Sequence, residues 1–492
     1  MTSIAIVDTE IAQRNENRAS AFLALGLVEC FLGFLAIIVA DYWPVFNLLS
    51  IVAGTLGLAA LALSIVRSRS VKVYDVLAAM LLVAYGTGSM NTVLSYAIDR
   101  QEFVADSVIA QYWYSRTLGL VLAACGCLHV AGRIDPRGYI FRTPDLNRAD
   151  CIRVSIFVTA IFLVYCAFLI TGRIGYAGGI GAGTGGPAVS PTAGVMTALV
   201  TPAGALALFT ALRSAGKSRM FLTVLAVSLL VCQFGAGRRI VWFSSIAYAM
   251  VALLIVRPKS LLGLRGLLIL AISLLAVQAL STFYIAMRMA SYSLRQNSSA
   301  NISVLQLVPK AIDIYLYDER GELKDKLREN YKTRTFVLDY LTLICQRELI
   351  FAPLHGDDFY RGIVVATPRA FYPNKFRDEF FEAEEPLINP RLGLPVWDAS
   401  NSILTAGAAD FGSVGIFIYP LALSLLYSFM LRVVNRFARP LVVFPTSIVI
   451  CQVLLSAETD VSGYFSSLLA AVLVFGLSFF ALGWERNDQL TT

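Results

Sequence analysis

Two adjacent arginines, Arg238 and Arg239, open an apolar run in the stretch FGAGRRIVWF. A guanidinium keeps its charge and offers a planar fork of donors that suits phosphate oxygens. Gly235 and Gly237 beside them let a bulky ligand approach the backbone. The same pair could instead snorkel to lipid headgroups. Further along, Arg288, Arg295, Arg361, Arg369 and Arg391 are interleaved with Asp357, Asp358, Glu384, Glu385 and Asp398. Such cations could hold an anionic leaving group while a neighbouring base deprotonates an acceptor hydroxyl, or the whole set could be an ion-paired stabiliser of a fold. The base candidates are His355 in PLHGDD, Asp398, and Asp410 in NSILTAGAADFGSVG. Asp410 falls inside an apolar run, where a carboxylate is expensive and marks a functional site by default. It could also lie at the interface or pair with an arginine.

Tyr372 and Trp397, with Tyr315, Tyr317, Tyr360 and Phe371, could stack on sugar faces or form a local core, and Asn401 adds a polar group at the edge of the next apolar run. Asp357 and Asp358 could share a divalent cation, but no His/Cys cluster suggests zinc. No metal and no cofactor are therefore expected. Gly181, Gly183 and Gly186 spell a literal G-x-G-x-x-G, but they follow an apolar run rather than a strand, so they read as a flap over a cavity or a slack connector rather than a dinucleotide site. His129 lies near the end of an apolar run and reads as structural.

What must position these groups is a membrane protein. Of 492 residues 57% are hydrophobic and only 15% charged, against about 25% charged in soluble domains. Runs of roughly 20 apolar residues recur without the alternation of an outer-membrane barrel. The expected fold class is an all-α polytopic membrane protein with about 12 transmembrane helices, near 20–40, 46–66, 73–97, 116–132, 152–172, 194–212, 219–236, 240–256, 263–283, 404–431, 440–456 and 463–484. Residues 1–19 are mostly polar and the first apolar run is long enough to span, so a cleaved leader is not expected. The eight cysteines are scattered and imply no disulfide framework.

Three regions follow: residues 1–283 with nine spans, a polar insert over 284–403, and residues 404–492 with three spans and a short tail. The insert holds 15 of the 40 Lys and Arg and 16 of the 33 Asp and Glu. Helical spacing predicts helices over 303–317 and 336–350, and residues 361–370 could lie against the membrane. Pro368, Pro373, Pro386, Pro390 and Pro395 then predict an irregular path. With the N-terminus in the cytoplasm, the short cytoplasmic segments carry 20 Lys and Arg and the opposite short loops carry 5. The positive-inside rule then puts both termini in the cytoplasm and the insert outside. The net charge of +7 is accounted for by those short loops, and no nucleic-acid partner is expected.

The order of a long outer insert, then ATPRAFYPNKF (Ala366 to Phe376), then a Pro-rich stretch, then NSILTAGAADFGSVG opening a span resembles the Wzy-type oligosaccharide repeat-unit polymerases of O-antigen and exopolysaccharide synthesis. Pro368, Arg369, Pro373 and Lys375 match that family's "Pro-Arg…Pro-x-Lys" element, and Asn401, Phe411, Gly412 and Gly415 match its "Asn…Phe-Gly-x-x-Gly" element. The resemblance covers the layout of the whole chain, but specific residues only from about 360 to 415. It implies a GT-C-type glycosyltransferase of the bacterial inner membrane with a periplasmic insert, acting on undecaprenyl-diphosphate-linked oligosaccharide amid membrane lipids. It also implies a chain-length regulator and a lipid-carrier flippase as partners. Arg238 and Arg239, then Arg288, Arg369 and Arg391, would hold the diphosphate; His355, Asp398 or Asp410 would act on the acceptor. An O-antigen ligase shares the layout and differs in acceptor. A flippase or transporter would want polar residues along a path through the spans.

Overall fold

The computed structural model describes residues 21–39, 43–68, 71–98, 108–135, 146–171, 191–233, 264–297, 304–317, 321–326, 336–368, 371–372, 384–394, 401–456 and 459–483. No strand forms among them. The helices are α1 (Ala21–Ile38), α2 (Trp43–Ser68), α3 (Val73–Ile98), α4 (Val108–Ile134), α5 (Arg148–Ile170), α6 (Pro191–Arg213), α7 (Gly216–Cys232), α8 (Leu264–Asn297), α9 (Val304–Leu316), α10 (Phe336–Arg347), α11 (Asp357–Ala366), α12 (Glu384–Leu392), α13 (Ile403–Phe411), α14 (Gly415–Phe437), α15 (Pro440–Leu454) and α16 (Val461–Leu482). Among the described residues, six helical segments are long and apolar enough to cross a membrane: Ala21–Ile38, Leu48–Ile65, Tyr112–Ile134, Arg148–Ile170, Ile403–Phe437 and Val461–Leu482. Val73–Gly86, Ala198–Arg213 and Pro440–Leu454 are shorter apolar helices. Each expected span is at least largely helical except 240–256, which lies outside the described residues. Large apolar side chains such as Leu27, Phe31, Ile156, Val224 and Phe480 are exposed on these helices. A helix that is apolar on its outer face as well as its inner one has lipid for solvent. The protein is embedded in a membrane.

The chain divides into two compact units. The first comprises residues 1–140, 331–432 and 453–467. In it α2 and α3 form a hairpin against α4, and α10 packs on α3, α4 and α13. Helices α1 and α4 cross at two pairs of glycines spaced seven apart. A Cβ on Gly26 would lie 2.9 Å from the carbonyl oxygen of Gly126, and one on Gly33 would lie 2.5 Å from that of Gly119. Small residues let two helices touch backbone to backbone, which is how apolar helices associate in lipid.

The second unit comprises residues 141–330, 433–452 and 468–492. Helices α5, α6 and α7 pack on one another, and α9 folds back on α8. Asn147 and Asp150 form a capping box at the start of α5, and Arg439 donates to Asp150 Oδ2 at 3.3 Å. In α9, Leu307 and Ala311 pack on Met287 and Ala290 of α8, in line with the amphipathic spacing of the sequence.

The insert is split by this division: residues 284–330 go with the second unit and 331–403 with the first. Helix α12 runs through Pro386 and Pro390, where the sequence predicts an irregular path. Proline is tolerated in a first turn because those N–H groups have no intrahelical partner anyway, and α12 ends two residues after Pro390.

Candidate functional site

Asp410 is the organising residue of the site. The apolar stretch Ile403–Phe437 is not one continuous helix. It breaks at Gly412–Val414, a single 3-10 turn between α13 and α14. Gly412 has φ +62°, a conformation that favours glycine. Irregular backbone in such a segment needs its polar groups met inside the protein. Glu348 meets this need at the break, and Asp410 serves the helix start that packs beside it. Glu348, just past α10, accepts from the backbone N–H of Ser413 at 3.1 Å and from its hydroxyl at 2.7 Å. Asp410, fully buried on α13, accepts from the N–H groups of Asp358 and Phe359 at 3.0 Å each, and from the Tyr419 hydroxyl on α14. A carboxylate there satisfies orphan donors of the first turn of α11 and sits at the positive end of its dipole.

The same junction fixes the turn before α11. The Leu354 and His355 N–H groups donate to the carbonyls of Ala409 and Asp410, both at 2.9 Å. His355 then takes φ +56° and Gly356 φ +96°. His355 is the one non-glycine residue with positive φ among the described residues. Such strain persists only where surrounding bonds fix it, and it gathers at functional positions. The imidazole it carries is exposed. Two residues on, Asp357 forms an ion pair with Arg391 of α12 at 2.6 Å, both side chains about half exposed. An exposed pair of this kind adds little stability, so the guanidinium can exchange its carboxylate for another anion.

Of the residues expected to do chemistry, the structure brings His355, Arg391 and Asp410 to one junction, with Asp410 acting through the backbone and not in contact with solvent. Asn401 stands beside the cap of α13; the residue is half-buried, and its Oδ1 is buried with no hydrogen-bond partner among the described residues. Ser402, next to it, caps α13 and shares a 2.6 Å hydrogen bond with Tyr85 of α3. Tyr372 is half-buried. Arg288 belongs to the second unit, where its Nε donates to Tyr292 at 3.2 Å. Arg238, Arg239, Arg369, Trp397 and Asp398 lie outside the described residues. Among the described residues no three His, Cys, Asp or Glu side chains converge as a metal set. Glu348 and Tyr419 were not singled out from sequence; a carboxylate one residue past a helix that precedes an apolar run was the only available signal.

Asp339 is a perturbed carboxyl of this unit. It accepts from the Tyr114 hydroxyl at 2.6 Å, and burial pushes it up to about 6 from an ordinary 3.8, against the lowering effect of that hydrogen bond. The folded protein therefore binds a proton here more tightly than the unfolded chain does. The stability this adds is complete below pH about 4 and is lost as pH rises to about 6, amounting to up to about 3 kcal/mol. Melting midpoints across that range are expected to fall for the wild type and to fall less for Asp339→Asn. Parallel profiles would remove Asp339 as the cause.

Comparison with protein-family models, curated proteins and solved structures finds no match for this chain.

Proposed function

We propose that this chain is a polysaccharide polymerase. In this reading it is a multi-pass protein of the bacterial inner membrane with about 12 spans and cytoplasmic termini. It joins undecaprenyl-diphosphate-linked oligosaccharide repeat units at the periplasmic face. The observation that carries the reading is the junction at Gly412–Val414. There an exposed imidazole sits on a turn anchored at the buried Asp410, and a guanidinium pairs with the half-exposed Asp357, beside a break in an apolar segment. A lipid-linked substrate needs its reacting group met at the end of its apolar tail, and such a break is where backbone and charge can reach it.

In the proposed step the anomeric C–O bond to the diphosphate breaks and a hydroxyl oxygen of the second lipid-linked unit bonds to that carbon. The bond electrons leave with undecaprenyl diphosphate, and the hydroxyl proton passes to the base. His355 is the base of choice among the described residues, with Asp398 the alternative. Arg391 leaves Asp357 for the diphosphate, and Arg369 adds charge to it. Stacking by Tyr372 or Trp397 and a hydrogen bond from a sugar hydroxyl to Asn401 would orient the rings.

The test is the length distribution of surface polysaccharide on a gel, from a deletion strain complemented in turn with wild type, His355→Ala, Arg391→Ala and Arg239→Ala. The deletion should show single repeat units and wild type should restore ladders. Loss of a general base is expected to slow polymerisation by about 100-fold or more, enough to leave short products only. Unchanged ladders in the deletion would sink the polysaccharide reading. Loss of single capped units as well would move the assignment to a ligase or a flippase.

A further inference from the structure

Charge is buried inside the spans of the first unit. Glu29, in the middle of α1, is fully buried, and neither of its carboxylate oxygens has a hydrogen-bond partner among the described residues. Its nearest ionic neighbour is His129 of α4, whose Nε2 lies 3.7 Å from Oε2. The other ring nitrogen of His129 is 2.9 Å from Asp75 Oδ1 on α3, and Asp75 Oδ2 pairs with Arg133 of α4. Glu29, His129, Asp75 and Arg133 thus form one continuous chain through three helices of the first unit, with side-chain exposures of 0%, 0%, 4% and 13%.

The chain is closed on its sides. Gly26 and Gly33 flank Glu29, and at both the backbones of α1 and α4 touch. The Phe22 ring lies 5.6 Å from the His129 ring and 4.7 Å beneath the Arg133 guanidinium. Cys30, Cys125 and Cys127 are the other titratable groups near Glu29. Towards the open end, Lys72 donates to the carbonyls of Gly132 and Asp135, the Tyr74 hydroxyl donates to Asp135 at 3.2 Å, and Arg432 pairs with Asp135. Lys72, Asp135 and Arg432 together carry one net positive charge, and it lies at the Asp75 end of the chain. Asp75 is itself met by Arg133 and His129. Glu29, at the far end, is the carboxylate that no hydrogen bond meets among the described residues. An unpaired buried charge is avoided by taking up or releasing a proton, and one proton at Glu29 removes it.

We propose that Glu29, His129 and Asp75 form a proton-binding site that clamps α1 to α3 and α4. The ligand is one proton, taken up at Glu29 against the His129 ring, with Asp75 holding that ring through Nδ1 and Arg133 pairing with Asp75. No room is left for a metal between His129 and Asp75, which touch directly. The site lies on α3 ten residues before Tyr85, about 15 Å along the helix axis from the Tyr85–Ser402 hydrogen bond. It is distinct from the junction at Asp410 and independent of the polymerase reading.

The experiment is thermal unfolding of the full-length protein in lipid nanodiscs as a function of pH, wild type against Glu29→Gln. A proton bound by the folded state more tightly than by the unfolded chain stabilises at low pH, and that contribution is lost as pH rises through its release. Gln needs no proton, so the melting midpoint of Glu29→Gln relative to wild type should climb with rising pH. Asp339 and Lys72, which burial pushes down to about 8, titrate in both proteins and cancel in that difference. A difference that is flat in pH overturns the proposal. Should Glu29→Gln fail to insert, His129→Gln serves. It leaves the carboxyl but removes the imidazole, so its profile should be displaced along the pH axis, and a profile coincident with wild type overturns the proposal equally.

Discussion

Alanine in place of Asp410 should unfold the first unit far below the wild-type melting temperature. The carboxylate takes three donors in a fully buried position: the N–H groups of Asp358 and Phe359 and the Tyr419 hydroxyl. Truncation leaves all three without an acceptor and opens a hole the size of a carboxyl. A buried donor left unpaired costs about 1–3 kcal/mol, so the sum is roughly 4 kcal/mol or more, against a total stability of about 5–15 kcal/mol for a typical domain. Asn keeps the shape but turns an NH2 towards donors at one of the two oxygens, and should lose nearly as much. Tyr419→Phe removes only one donor of the three and should cost about 1 kcal/mol. The order Ala, Asn, then Tyr419→Phe, measured by thermal melts in one detergent, separates an anchoring carboxylate from an incidental one. Equal midpoints for wild type and Asp410→Ala would dismiss it. Because the start of α11, just past His355, hangs on the Asp410 carboxylate, any activity carried by His355 should fall with Asp410→Asn even at temperatures where that variant remains folded.

Asp410 could be picked from sequence because its cost in an apolar run is a property of one residue and its neighbours. Its partners could not. The donors it serves lie about fifty residues away, and nothing in the spacing of the chain says that α11 begins there. The helices α9 and α10 were legible for the opposite reason: their apolar residues recur at helical spacing, which is local. The break at Gly412 was hidden inside a run of uniform hydropathy, since an apolar average does not register a turn in the backbone. Arg391 and Asp357 were each noticed as charges in a charged insert, yet their pairing is tertiary. Glu29 was the available signal that went unread. One carboxylate at the centre of α1 carries the same argument that singled out Asp410, and His129 gains its partners only from the way α1, α3 and α4 cross.

Gly415→Ala should be the most damaging single-atom change in the first unit. At the break, α13 and α14 come so close that a Cβ on Gly415 would fall within the carbonyl group of Gly407, and a Cβ on Gly407 would fall within that of Gly415. The obstacle is backbone on both sides. It cannot be relieved by a rotamer change, so either the Gly412–Val414 turn or the axis of α14 must move. Overpacking against side chains costs about 1–3 kcal/mol; against fixed backbone the upper end or more is expected, roughly 3 kcal/mol. Displacing the turn also shifts Ser413 from Glu348 and Tyr419 from Asp410, so the hydrogen bonds that satisfy the break are lost together with the packing. Gly476 provides the control. It lies within α16, and a Cβ there meets nothing within 4 Å. Gly476→Ala should therefore leave the melting temperature unchanged or raise it, because alanine is favoured over glycine inside a helix by about 0.5–1 kcal/mol. A Gly415→Ala protein as stable as Gly476→Ala would mean that the two helices do not meet backbone to backbone at the break.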